Sequence, residues 1–197
     1  MSLHEEEYKG YNIEVIYDDN PFDPREDGCF GKMVCFHRRY GLGDKHNLDS
    51  GDFGGWNEVA EHLVKKLNAK VILPLYLYDH SGLHLKVGSW YGLLPQGHAE
   101  FDSGQVGFIY CTAKDIRENW GRKRATKQYI KKAENLLKDE VRVYAAYLNG
   151  EAYGYVITDK DGERVDSLYG FLGDYNGTIG EAKAVIDHII SEEGNGE

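Results

Sequence analysis

Hydrophobic and polar positions alternate loosely over residues 11–18, where Ile13, Val15 and Tyr17 interleave with Asn12, Glu14 and Asp18. That period of two predicts a first strand. Residues 19–31 carry prolines, glycines and acids and read as a loop, and 32–37 read as a second strand. A glycine- and aspartate-rich stretch over 40–55 predicts a long surface loop. Apolar residues then recur at three- and four-residue steps through Trp56, Val59, Ala60, Leu63, Val64 and Leu67, so 56–69 is expected to be helical.

Residues 71–78 form a continuous apolar run, the pattern of a central strand. Pro74 lies inside it and cannot donate to a ladder, which predicts a bulge or an edge there. Short strands are expected at 83–87 and 105–111. Thr112, with Asp115 three positions on, signals the start of a short helix over 112–120. The strongest helical pattern covers 126–148: Ile130, Ala133, Leu137, Val141, Tyr144 and Leu148 make the stripe, and Asn149-Gly150 ends it. Strands at 151–158 and 164–171 flank an Asp159-to-Gly162 hairpin signal. A last helix is expected over 178–191, with a frayed tail at 192–197.

Hairpins and helices mix without regular βαβ alternation. The expected fold class is α+β: one mixed or antiparallel sheet of about 5–7 strands covered by about 3–4 helices. The length of 197 residues predicts a single domain spanning 1–197.

Charge sharpens this picture. The net charge is −10, with acids concentrated at the two ends and bases over 113–148. Within the acidic segment 1–27, Asp18, Asp19, Asp23, Glu26 and Asp27 form a compact group suited to imitate nucleic-acid phosphates toward a basic partner. The plainer reading is that acidic surfaces keep a protein soluble. The bases Arg122, Lys123, Arg124, Lys127, Lys131 and Lys132 suit a phosphate backbone, but the flanking acids repel a duplex. A solvated helix face fits better, and direct nucleic-acid binding is not expected. No run of about 18 apolar residues exists, so no membrane partner is expected. Residues 1–7 lack the apolar core of a secretory signal, and cytoplasmic residence is the expectation. Three cysteines without CxxC spacing point to buried thiols rather than a disulfide framework or a four-cysteine metal site.

Three polar clusters sit where strands are expected to end: Asp79-His80-Ser81-Gly82, Asp102-Ser103-Gly104, and Asp166-Ser167. Turn chemistry explains each alone. Together, Asp79, His80 and Asp102 are candidates for acid–base work or for holding a metal with His37 or His46. Arg38 and Arg39 suit planar recognition of phosphate or carboxylate. Against catalysis, there is no GxSxG elbow, no Walker A loop, no GxGxxG and no HExxH or HxxxH on an expected helix. The sequence therefore carries no recognisable catalytic signature, and neither a metal nor a cofactor is expected.

The stretches Met33 to His46, Leu77 to Gly82 and Asp102 to Tyr110, with Val165 to Phe171, resemble a family of uncharacterised proteins encoded by bacteriophages and integrated mobile elements. The run from Asp102 to Gly107 is the most specific piece. That resemblance implies an accessory role in a bacterial host cell, directed against host defence. With the acidic loop, it makes a non-enzymatic inhibitor of a nucleic-acid-binding defence complex, such as a CRISPR effector, the leading expectation. An Asp/His-dependent, metal-assisted hydrolase is the alternative, and a nucleic-acid-binding module a weaker one.

Overall fold

The structure is a computed structural model that describes residues 2–26, 28–94 and 97–194. In chain order the elements begin with β1 (Ser2–Tyr8), β2 (Tyr11–Tyr17), β3 (Lys32–Cys35), a 3-10 turn (Ser50–Asp52) and α1 (Trp56–Lys65). The middle of the chain forms β4 (Ala69–Asp79), β5 (Leu83–Val87), the single-turn α2 (His98–Phe101), β6 (Ser103–Thr112) and α3 (Ala113–Asn119). Then come α4 (Lys127–Leu148), β7 (Ala152–Thr158), β8 (Arg164–Leu172) and α5 (Tyr175–Gly194).

The α+β class holds, and all the strand pairing is antiparallel. The expected single sheet does not. The strands form two four-stranded sheets, ordered β1-β2-β7-β8 and β3-β6-β4-β5. Alternation reveals that a segment is a strand but not which strand it joins. Here β2 skips the strands that follow it in sequence and pairs with β7, aligning Ile13 with Ile157 and Val15 with Tyr155. The chain correspondingly divides into two compact units, one of residues 1–22 with 150–197 and one of 23–149.

In the first unit, Lys9 and Gly10 both have positive φ (52° and 85°), the backbone that a two-residue β1–β2 hairpin needs. Ile13, Val15, Tyr155 and Ile157 line one face of the sheet and pack with Ala182 and Ile186 of α5. Asp174 starts α5 three residues earlier than expected, because its carboxylate accepts from the Gly177 N–H at 2.8 Å. The helix also continues through Gly194, beyond the expected start of the tail.

The second unit is a sandwich in which β6 is buried on both faces. Ile109 and Cys111 join Leu75, Leu137 and Val141 in one core cluster. Phe108 and Tyr110 join Val34, Val59 and Leu63 in another. A strand covered on both sides must read as a continuous apolar run, as this one does. Pro74 sits where β5 ends. Its carbonyl accepts from the Gly88 N–H at 2.9 Å, so its donorless nitrogen faces that same finished flank. A register shift between Leu75 and Tyr76 follows at once.

Arg25 ties this unit together. Its side chain is 3% exposed and bridges Asp44 (2.8 Å), Glu140 of α4 (3.4 Å) and the Gly31 carbonyl (2.8 Å). Glu140 also accepts from the backbone N–H groups of Phe30 and Gly31. On the basic face of α4, Lys131 and Lys138 both pair with Glu134, and Arg142 pairs with Asp139. Among the described residues no helix is long and apolar enough to cross a membrane.

Candidate metal centre

The centre is built at one end of the β3-β6-β4-β5 sheet. The β4–β6 ladder closes with Tyr78 opposite Ser103, so the residues just beyond, 79–80 on one strand and 102 on the other, must meet. The Asp79 N–H donates to the Asp102 carbonyl at 2.9 Å. Side chains of an extended chain alternate, which sends Tyr78 and His80 to one face and Asp79 to the other. Tyr78 and His80 stack, with centroids 5.7 Å apart and planes 14° from parallel. Ser81, at φ 59°, occupies the left-handed region and turns the chain back toward β5.

From the other side, α2 forms one turn, and the Asp102 N–H donates to the His98 carbonyl at 3.0 Å. Residues four apart on a helical turn share a side, so His98 and Asp102 project together. The Ser103 hydroxyl donates to the Ala99 carbonyl at 2.5 Å and holds the turn closed.

His80, His98 and Asp102 therefore converge, each offering a ligand atom, with those atoms within 4.8 Å of one another. Nδ1 of His80 lies 3.4 Å from an Asp102 carboxylate oxygen. Donors on a zinc ion with bonds of about 2.0–2.2 Å sit about 3.4 Å apart, so one pair already has the separation required. The His80 side chain is 51% exposed and that of Asp102 37%, so both are open to solvent and to an ion. His98 Nδ1 lies 3.1 Å from the Tyr78 hydroxyl, and with Nδ1–H donating to that oxygen Nε2 carries the free lone pair. Tyr78 also stacks on His84, its cross-strand neighbour, and packs against Trp90. Two imidazoles, one carboxylate and open positions suit a first-row divalent ion.

The cluster overturns the expectation of a chain without a recognisable catalytic signature. His80 and Asp102 come together as the alternative reading required. Asp79 stands apart, because its carboxylate pairs with Arg39. His98 belongs to no helical His–His spacing, and its one local signal is its place four residues before Asp102. His37 and His46 do not join the group. His46 uses both nitrogens locally, on the Cys35 carbonyl (3.0 Å) and the Leu48 N–H (3.3 Å). His37 accepts from the N–H groups of Arg39 and Tyr40 and stacks on the Tyr40 ring. Asp166 lies in the other unit and accepts from the Tyr155 hydroxyl at 2.8 Å.

The acidic loop is split between the two units, with Asp18 and Asp19 in the first and Asp23 and Glu26 in the second. Asp18 caps the Asn20 N–H and Asp23 the Arg25 N–H, as turn residues do. Asp19 and Glu26 are exposed, and Asp27 lies outside the described residues. Arg38 is exposed and Arg39 is paired.

No protein-family model matches the chain, no curated protein matches it, and no solved structure matches its fold.

Proposed function

We propose that this protein is a metal-assisted hydrolase in which His80, His98 and Asp102 hold a first-row divalent ion. The observation that carries the reading is the convergence of those three side chains at one sheet end. An ion held there supplies Lewis acidity toward a carbonyl or phosphoryl oxygen and lowers the pKa of a coordinated water. The chain's own contribution is orientation. Tyr78 fixes which His98 nitrogen is available, and the half-exposed His80 leaves room for a substrate beside the ligands. In an accessory protein of a phage or mobile element, the origin implied by the sequence resemblance, such an activity would act on a host or element-encoded molecule.

Zinc titration by calorimetry tests the site, followed by hydrolysis assays on nitrophenyl acetate and nitrophenyl phosphate. The expected result is one zinc ion per chain, binding lost in His98→Ala, and hydrolysis of at least one ester that a chelator abolishes. Zinc binding that is the same in wild type and in a His80→Ala/His98→Ala variant would sink the proposal. Metal binding without hydrolysis would leave a binding module instead of an enzyme.

A further inference from the structure

A second concave site lies in the same unit, away from the three metal-ligand candidates. The 40–55 loop and the start of α1 enclose an open cleft of about 890 Å³ against the end of β3. None of His80, His98 and Asp102 lines it. Small-molecule sites commonly have volumes of about 300–1,000 Å³, with apolar walls and a few convergent polar groups.

The wall is aromatic. Phe36 sits 6.3 Å from Phe53 and 6.2 Å from Trp56, centroid to centroid, and all three rings are only half-buried. Trp56 rests edge-on against Phe108, so the wall has a rigid backing. Such rings present π-faces that a planar molecule can cover.

The rim is rich in donors. Arg38 is exposed at the cleft and has no ion-pair or hydrogen-bond partner among the described residues, whereas Arg25 and Arg39 are both paired. His37 accepts two backbone N–H bonds at Nδ1, so the neutral ring carries its proton on Nε2 as a further donor. The lining also holds one acid, Asp49, whose carboxylate accepts from the Gly51 N–H at 2.8 Å. The N-terminus of α1, whose Gly55 and Trp56 line the cleft, adds partial positive charge, part of which Glu58 in the first turn offsets.

From this combination we infer that the cleft binds a small planar aromatic molecule bearing an anionic group. The ring lies on Phe36, Phe53 and Trp56, and the anion meets Arg38 and His37. A nucleotide and an aromatic carboxylate share that chemistry, and the test separates them.

The full-length protein is titrated by NMR with adenosine monophosphate and with phenylpropionate, beside adenosine and phenylpropanol as uncharged counterparts. The expected result is saturable binding of at least one anionic probe, with shifts at the Trp56 indole. Arg38→Gln should weaken it about tenfold without changing the melting temperature, since a charge-assisted hydrogen bond contributes that order. The uncharged counterparts should bind equally weakly to both proteins. Preference for one anionic probe names the ligand class. No saturation by either anionic probe at millimolar concentration would overturn the inference. So would binding that Arg38→Gln and Phe53→Leu both leave intact. Persistence of binding in His98→Ala would show that the cleft acts without the metal centre, and loss of anion binding in that variant would overturn a separate site.

Discussion

The Tyr78 hydroxyl and His98 Nδ1 meet at 3.1 Å, joining the last β4 residue paired with β6 to the first residue of a one-turn helix. Tyr78→Phe keeps the ring that stacks on His80 and His84 but removes this bond. Outer-shell partners of ligating histidines commonly contribute about 10- to 100-fold in metal affinity. Calorimetric zinc titration should show a loss in that range with little change in melting temperature. An unchanged dissociation constant would mean that Tyr78 only fills space.

Asp79 and Asp102 are neighbours in space with opposite assignments. Asp102→Asn should remove zinc binding, because it replaces a carboxylate donor. Asp79→Asn should leave zinc content unchanged and cost at most about 1 kcal/mol, since its pair with the exposed Arg39 is a surface contact. Elemental analysis of the two purified variants decides this, and the reverse outcome would move the site to the other face of β4.

Arg25 is predicted to be the costliest charged side chain to remove. Arg25→Met leaves Asp44 and Glu140 without their cation and the Gly31 carbonyl without its donor. Breaking a buried pair in this way costs about 3–5 kcal/mol. Arg25→Lys should recover only part, because an ammonium cannot reproduce the fork on Asp44. Urea midpoints for the three proteins test the ranking.

Gly107 and Gly104 lie in one short motif but differ in tolerance. A Cβ on Gly107 would stand 2.1 Å from the Val34 carbonyl oxygen, which is backbone and cannot swing away, whereas one on Gly104 meets nothing within 4 Å. Gly107→Ala should destabilise by about 3 kcal/mol or more and Gly104→Ala by well under 1 kcal/mol. Similar midpoints would contradict the close β3–β6 approach.

Burial pushes the Cys35 and Cys111 thiols from 9.0 up to about 12. The folded chain then keeps protons that the unfolded chain releases. Their stabilisation is complete below about pH 9 and is lost as pH rises toward about 12. Burial raises Tyr144 and Tyr155 as well, which acts in the same direction. Urea midpoints should fall steadily through this window, and less steeply in Cys35→Ala than in wild type. A flat profile would mean that the thiols ionise in the folded chain near their ordinary value.

How much of this was legible depended on range. The α4 stripe from Ile130 to Leu148, the Asp159-to-Gly162 turn and the Thr112 cap with Asp115 at N3 are local patterns, and each forms as read. β1 was hidden because Glu5 to Glu7 look like a solvated tail, although charged residues are what an edge strand tolerates. The two-sheet division was hidden because β2–β7 pairing is decided by packing at long range. His80 and Asp102 were visible as residue types, and their meeting follows from a ladder register that no periodicity encodes. His98 needed both that register and a helical turn too short to leave a periodic trace.

The pairing of β2 with β7 also sets an order of events. Ile13 cannot find Ile157 until nearly the whole chain exists, and closing so long a loop is slow. Residues 23–149 are contiguous and have all left the ribosome before β7 does, so their unit can mature during synthesis. Until β7 emerges, the β1–β2 hairpin must wait with Ile13 and Val15 uncovered. A chain arrested before residue 152 would therefore carry the candidate metal centre and the aromatic cleft already assembled, together with a sticky, unfinished hairpin, the feature through which such a fragment would aggregate or be recognised for destruction.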